Sequence, residues 1–378
     1  MEIAENTETL QGWMNDGASY LRLDNYEKAL NAFDSAIEID QFYPLAYIEK
    51  EKCLRKMGRF SEADEVCAII ADLQSETVLG SDFPPHDPYH HITHLLCENG
   101  NFSDVSELME AYTAPLKDLI SGFNQSSLQI SGQYNDAHLQ HAYLLYYYPY
   151  YIETIYREML LISPNYLSNS SSHHLGICFY CCGPAPEYMG TLKFISEKQK
   201  NYRHISVSFF EKSQWDETRD ECIRSISPHY YGNESLNITT NSRHLNILTL
   251  RNAGIIAKYP EIRTSNLHIF QNCMRDLIQF SEKTEDVLEL LKSIFMALRP
   301  GGILIIVEMY YPQTKLFLNK FEEFIRESGT GTILQQISEK KTYQPNFKKP
   351  DEIRLFFTGK INRDRRYTNY FSFIAMRT

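Results

Sequence analysis

The 378-residue sequence lacks the basic start and apolar core of a secretory signal, opening instead on Met1-Glu-Ile-Ala-Glu-Asn. It also lacks any uncharged apolar run long enough to span a bilayer. A cytoplasmic address and no membrane partner are the resulting expectations. Positive charge is in short supply: the net charge is −11, which excludes whole-molecule attraction to nucleic acid or anionic lipid and leaves only local basic patches. The eight cysteines are scattered, with Cys181 and Cys182 adjacent, unlike the disulfide framework of a secreted module. Without a secretory route, Asn233-Glu-Ser and Asn237-Ile-Thr carry no glycosylation signal. Cys178 and Cys181 form a Cys-x-x-Cys, yet no second pair exists to complete a structural zinc site. Small buried thiols filling a strand and its turn account for them, and no metal is expected. A dinucleotide signature Gly-x-Gly-x-x-Gly is missing too, because positions 181, 183 and 186 are Cys, Gly and Pro.

What is present is ordinary core material, 43% hydrophobic, in a chain long enough for two or three domains. From Trp13 to about Tyr112 apolar residues recur at helical spacing, and the pattern repeats on a longer scale. Adding thirty-four to Tyr26 and Ala29 lands on Phe60 and Ala63, and the turn Asp24-Asn25 matches Gly58-Arg59. A third unit follows, in which Glu98-Asn-Gly-Asn-Phe-Ser-Asp-Val echoes Lys56-Met-Gly-Arg-Phe-Ser-Glu-Ala after the loop Ser81-Asp-Phe-Pro-Pro-His-Asp-Pro. Trp13, Gly17, Tyr20, Tyr26, Ala29, Phe33 and Ala36 closely resemble the tetratricopeptide repeat signature, with the closing proline displaced to Pro44. That resemblance implies helix pairs whose concave face binds peptides or partner proteins. His90, His91 and His94 bring two imidazoles to one helix face, but no Cys or carboxylate completes a metal set at a convincing spacing.

Polar residues from Ser121 to Asn135 read as a linker. After them His141 to Leu161 is an aromatic-rich helical stretch, kinked or restarted at Pro149 and barred from a membrane by His141, Glu153 and Arg157. Its tyrosines read either as a helix buried across a domain junction or as ring faces for a sulfonium or ammonium group.

Beyond it, apolar runs at Leu175–Tyr180, His204–Phe210, Ser235–Thr240, Asn266–Gln271 and Ile303–Met309 predict the strands of a doubly wound sheet. An amphipathic helix is predicted over Thr284 to Leu298, followed by the turn Arg299-Pro-Gly-Gly. Ile333–Ile337 and Tyr370–Met376 predict an antiparallel closing pair, separated by a polar insertion with no helix signal. The organising stretch is Leu175 to Gly190: a buried strand, a break at Gly183-Pro184-Ala185-Pro186, then a helix. Strand, tight turn and helix form the unit that holds a nucleotide-like cofactor, with free N–H groups at the helix start.

Cys182-Gly183-Pro184-Ala185-Pro186-Glu187, the strand-end Glu211 and Leu298-Arg-Pro-Gly-Gly-Ile-Leu, in that order, resemble class I S-adenosylmethionine-dependent methyltransferases over Leu175 to Thr378. The resemblance implies S-adenosylmethionine as cofactor. It places Cys182, Gly183, Pro184 and Ala185 beneath the methionine and ribose portions and Glu211 on the ribose hydroxyls, with Trp215 covering the adenine or anchoring the next helix. The family's acidic residue in this motif is replaced by Phe179, and its glycines by Cys181 and Ala185, so Glu187 or Glu153 is needed for the methionine ammonium. Catalytic groups are expected after the fourth and fifth strands, where Asn272 would orient a nucleophile, Arg275 a carboxylate, and Tyr310 completes the set.

The expected architecture is an α/β Rossmann-like methyltransferase domain over 175–378, a linker and junction helix over 121–174, and an all-α helical repeat domain over 1–120. The expected activity is methyl transfer to a peptide or protein acceptor, with a small-molecule acceptor as the other option. Two alternatives stay open: a scaffold that has lost turnover, favoured by Phe179, Cys181 and Ala185, and transfer of the aminocarboxypropyl group instead of methyl. The basic bias of the tail, including Lys340, Lys341, Lys348, Arg354, Arg363 and Arg366, reads as a solvated insertion rather than a nucleic-acid surface.

Overall fold

A computed structural model describes residues 10–39, 44–66, 88–124, 135–162, 167, 173–198, 202–230, 236–337, 341–343, 347, 349–361 and 368–378. The chain divides into two units, Met1–Pro85 and His86–Thr378.

In the first unit, helices α1 (Leu10–Arg22), α2 (Tyr26–Ile39) and α3 (Pro44–Lys56) precede a helical segment at residues 60–66. Small residues set how closely the helices approach. Ala29, Ala36, Ala46 and Ala63 are fully buried, and a Cβ on Gly17 would fall 2.4 Å from the ring of Phe33. The two turns matched at an offset of thirty-four residues have the same geometry: Asp24 and Gly58 adopt φ of 54° and 74°. Asn25 N–H bonds Tyr20 C=O and Arg59 N–H bonds Leu54 C=O, each at 2.9 Å. This is the six-to-one closure of a helix that ends on a left-handed residue. The third matched turn closes in the same way but one residue later than the echo places it: Asn101, not Gly100, is left-handed at φ 53°, and Phe102 N–H bonds Cys97 C=O at 3.0 Å.

The third turn belongs to the second unit. Helices α4 (Pro88–Gly100), α5 (Val105–Ala111), α6 (Thr113–Asn124), α7 (Ala137–Tyr146) and α8 (Tyr148–Leu160) lead into the sheet there. Tyr89, Leu96, Leu116 and Tyr150 join one hydrophobic cluster with Ile177 and Phe179 of the first strand. The structure therefore groups 86–120 with the sheet, whereas the sequence reading groups them with the repeats, because amphipathic spacing shows that a face is buried but not against what. Most of the polar linker reading (125–134), and the basic positions Lys340, Lys348, Arg363 and Arg366, lie outside the described residues. The aromatic stretch restarts at its proline: Pro149 sits at the beginning of α8, where its missing N–H costs nothing.

The sheet is built from β1 (His174–Tyr180), β2 (His204–Glu211), β3 (Asn237–His244), β4 (Leu267–Gln271), β5 (Ile303–Met309), β6 (Gly331–Gln335), β7 (Lys341–Tyr343) and β8 (Thr368–Arg377). Their order is β3-β2-β1-β4-β5-β8-β6, with β7 paired to β8. Strands β1 to β5 pair in parallel, and β8 is antiparallel to β5, β6 and β7. Alternation fixes which side each residue faces. Leu175, Ile177, Phe179, Ile303, Ile305 and Val307 enter one core; Cys178, Tyr180, Leu304 and Ile306 enter the other. Apolar helices thus cover both faces, as a parallel sheet requires. On the first face α8 meets α9 (Pro186–Lys198) across Gly190. The opposite face carries α11 (Met274–Phe280), α12 (Thr284–Ala297) and α13 (Pro312–Ser328); α10 (Asp216–Ser225) follows β2. Polar β3 runs further than its sequence suggested because it is an edge strand with an exposed face.

The insertion read as lacking a helix contains one, α14 (Asp351–Gly359), whose Ile353 and Phe357 are buried. Its nine residues are too short for a convincing period. Buried Glu158 of α8 ties the closing strands down, accepting Lys341 Nζ at 2.8 Å, Tyr370 OH at 2.8 Å and Gln335 Nε2 at 3.3 Å. No described helix is long and apolar enough to cross a membrane.

Candidate functional site

Because β2 lies on one side of β1 and β4 on the other, the carboxyl ends of these strands open a crevice where the winding reverses. A cleft of ≈ 570 Å³ occupies that position. Cys181, Cys182, Gly183, Pro184 and Glu187 line it after β1, Glu211 and Trp215 after β2, and Gln271, Asn272 and Asp276 after β4. Tyr143 and Tyr151 of α7 and α8 add ring surface, while His244 to Leu248 close the β3 end.

The first loop keeps a glycine-like backbone with few glycines. Cys181, Gly183 and Ala185 adopt φ of 51°, 50° and 58°, so the two positions where the sequence departs from glycine still hold the left-handed form. Gly183 packs against Trp215, where a Cβ would make ordinary contact at 3.5 Å, so glycine is favoured there by the left-handed backbone rather than by lack of space. Its N–H bonds Glu211 Oε2 at 2.9 Å and its C=O accepts from the buried Arg219 Nη1 at 3.2 Å. Glu211 Oε1 accepts the N–H groups of Lys212 and Ser213, both at 2.8 Å. Three backbone donors therefore aim one carboxylate, and about one of its four acceptor positions is left for the cleft.

Phe179 is fully buried, stacked on Phe209 at 5.7 Å and edge-on to Tyr188. An acid at 179 would face this apolar core. Glu153 is engaged too, by Lys193 at 2.9 Å. Glu187 is different: it is buried in the first turn of α9, its Oε1 has no partner, and burial pushes its pKa well above the carboxylate range. Two more orphaned polar atoms lie in the same cleft, Gln271 Oε1 and Asn272 Nδ2. The Gln271 amide is fixed because its Nε2 donates to Tyr151 C=O at 2.9 Å. Asn272 is held at φ 55°, with its N–H on Val307 C=O at 2.8 Å.

Of the residues singled out in the sequence, Cys182, Gly183, Pro184, Glu187, Glu211, Trp215 and Asn272 line the cleft, and Ala185 shapes it from a buried position. Arg275 and Tyr310 are not among its lining residues. The Arg275 guanidinium lies over the ring of Tyr311 at 4.3 Å, and Tyr310 packs edge-on to Phe371. A strand end predicts which residues come next but not which way they turn. Asp276, Tyr143 and Tyr151 line the cleft without having been read as site residues; the clustered rings of the junction helices were the available signal.

Glu308, also after the sheet's carboxyl edge in sequence, is structural. It is buried in β5, and its Oε2 accepts the first N–H of α11, from Met274, at 2.7 Å. Burial raises its pKa to about 8. A carboxyl whose folded pKa exceeds its unfolded value contributes stability that is complete below about 4.5 and is lost as pH rises through about 8. Glu308→Gln keeps an acceptor for Met274 and removes the charge. Its free energy of unfolding should therefore gain on the parent between pH 6 and pH 9, by an amount on the order of a few kcal/mol. A gap that stays constant across that range would refute the assignment.

The strand order, with antiparallel β8 inserted between β5 and β6, is that of the Rossmann-like methyltransferase fold, here preceded by a helical region. No protein-family model matches the sequence, and no curated protein matches it either. Among solved structures it is similar to precorrin-6y C5,15-methyltransferase from Geobacter metallireducens, at 9% identity over 58% of this chain and 91% of that one, TM-score 0.31. It is also similar to an O-methyltransferase family 2 protein from Planctomyces limnophilus in complex with apigenin, at 9% identity over 60% and 56%, TM-score 0.34. A third is the trans-methyltransferase CalH in complex with S-adenosylhomocysteine, at 12% identity over 64% and 60%, TM-score 0.33.

Proposed function

We propose that this chain is an S-adenosylmethionine-dependent methyltransferase that modifies a peptide or protein acceptor, with the N-terminal helical repeats contributing to acceptor recognition. The observation that carries the cofactor is the set of orphaned atoms in the cleft. Glu187 Oε1 and Gln271 Oε1 are acceptors and Asn272 Nδ2 is a donor, all buried and unpartnered. A buried polar atom without a partner costs about 1–3 kcal/mol, so such a set calls for a ligand. An α-amino acid end matches it: the ammonium meets Glu187 and Gln271, and the carboxylate meets Asn272. Glu211 takes a ribose hydroxyl, and Trp215 with Leu245, Ile247 and Leu248 offers the base apolar surface. The cofactor supplies an electrophilic methyl group; the chain orients it and excludes water. Acceptor recognition by the repeats is supported by the shared turn geometry and by the small buried residues that build the helix pairs.

Calorimetry of the full chain with S-adenosylmethionine and S-adenosylhomocysteine tests this. One site should be seen for each. Because burial raises the Glu187 pKa, an ammonium arriving beside it should lower that pKa again and release protons, visible as a dependence of the measured heat on the buffer's ionisation enthalpy. Absence of binding by either ligand would end the methyltransferase reading.

A further inference from the structure

The β4 side of the cleft carries a carboxylate with no hydrogen-bonded partner among the described residues and only the neighbouring Arg275 charge to offset its burial. Asp276 stands in the first turn of α11 and faces the cleft. It has no hydrogen bond or ion pair among the described residues, and burial raises its pKa to about 6. Its neighbour Arg275 is laid over Tyr311 instead. The cation that does line the cleft, Lys212, lies at the end of β2 with β1 intervening. Opposite the strand ends, the rings of Tyr143 and Tyr151 stand 6.1 Å apart, and Tyr151 is joined to Gln271 through its carbonyl. A half-buried carboxylate in a cleft also lined by tyrosine rings, Tyr151 stacked on Tyr147 and Tyr143 edge-on to Trp215, favours a cation.

We propose that the methyl acceptor is a protonatable aliphatic amine, received at the β4 end of the cleft between Asp276 and the rings of Tyr143 and Tyr151. The inference rests on the cofactor reading above. A carboxylate acceptor would meet Asp276 itself, and the nearest cation on that side, Arg275, does not line the cleft and is laid over Tyr311. A hydroxyl would bring no charge for the carboxylate and the rings to bind. An arriving ammonium gives one proton to Asp276, whose raised pKa brings it nearer to that of a desolvated amine. The freed nitrogen pair then bonds the methyl carbon as the carbon–sulfur bond breaks and its electrons remain on sulfur. Positive charge passes from sulfur to nitrogen beside the same rings, and Asp276 returns its proton to water.

The test is equilibrium binding to the full chain of S-adenosylmethionine analogues in which nitrogen replaces sulfur and the methyl becomes a two-carbon arm ending in ammonium, hydroxyl or carboxylate. A further analogue makes that terminal nitrogen the ε-nitrogen of a lysine in a short blocked peptide. S-adenosylhomocysteine is the reference. The ammonium arm should bind at least about tenfold tighter than the hydroxyl arm, with the carboxylate arm weakest. Asp276→Asn should erase most of that gain, read as the ratio of ammonium-arm to hydroxyl-arm affinity within the variant. Further tightening by the lysine peptide would assign the amine to a protein, and its absence to a small molecule. Equal binding of the three arms, or preference for hydroxyl or carboxylate while the reference binds, overturns the amine assignment. Failure of the reference itself overturns the cofactor reading and this inference with it. Should Asp276→Asn fail to fold, the ranking on the unaltered chain decides alone.

Discussion

Glu211→Ala is expected to weaken binding of S-adenosylhomocysteine by about 100-fold or more. The carboxylate is the point where two loops are pinned together: it receives Gly183 from the β1 loop and Lys212 and Ser213 from the β2 loop, and it faces the cleft with what remains. A hydrogen bond to a charged group contributes about 1.5–3 kcal/mol, and each 1.4 kcal/mol is tenfold in affinity. Losing a ribose contact alone therefore gives about tenfold or more. Releasing Gly183 N–H allows the left-handed loop to relax away from its bound shape, which supplies the rest. The same substitution should lower thermal stability, because Glu211 is nine-tenths buried and its three donors lose their acceptor. Glu211→Gln separates the two effects: its carbonyl can serve the Lys212 and Ser213 donors, while its amide nitrogen opposes Gly183 N–H. Affinity should fall with a smaller loss of stability. Unchanged affinity in Glu211→Ala, measured by calorimetry, would remove this residue from the site.

The largest stability effect is expected at Gly190. A Cβ there would lie 2.3 Å from Ile152 C=O and 2.4 Å from Ile155 Cγ2, so α9 and α8 touch backbone to backbone. At an exposed helical position Gly→Ala stabilises by about 0.8–1 kcal/mol. At Gly190 that gain is outweighed, since the obstacle is main chain and cannot rotate aside. Overpacking of this kind costs about 1–3 kcal/mol, and a valine costs more than an alanine. Gly190→Ala should lower the thermal midpoint by several degrees and Gly190→Val should abolish cooperative unfolding or nearly so. The pair also carries Lys193–Glu153 and the Lys193 cation over Tyr156 at 4.3 Å, both of which would be displaced. A Gly190→Ala variant that melts at or above the parent temperature would show that the helices do not approach this closely.

The parallel sheet was legible because its central strands are buried on both faces and read as short, mostly apolar runs. Ile303–Met309 is the same seven residues in sequence and structure, and β1 and β2 differ from expectation by a single residue. Where a strand is polar, as β3 is, or a helix is nine residues long, as α14 is, the period is too weak to read. The site was legible where the backbone itself makes it: Gly183-Pro184 and Glu211 follow from strand ends. It was not legible where a side chain has a choice of direction. Arg275 and Asp276 are adjacent, yet one stacks on Tyr311 and the other faces the cleft. Phe179 shows the converse, because alternation along β1 assigns it to the apolar face once the strand's register is known.

The left-handed residues Cys181 and Ala185 bear on how such a loop drifts over generations. Glycine is the residue that reaches this conformation without strain, but it is not the residue that makes the conformation necessary. Here the requirement is imposed by hydrogen bonds, from outside the loop by Phe210 C=O on Cys181 N–H and by Glu211 and Arg219 on either side of Gly183, and within it by Cys182 C=O on Ala185 N–H. Once those anchors exist, the flanking glycines are free to be exchanged for small side chains at a tolerable cost in strain. A lineage can thus shed the letters by which its loop would be recognised while handing down the loop's shape intact.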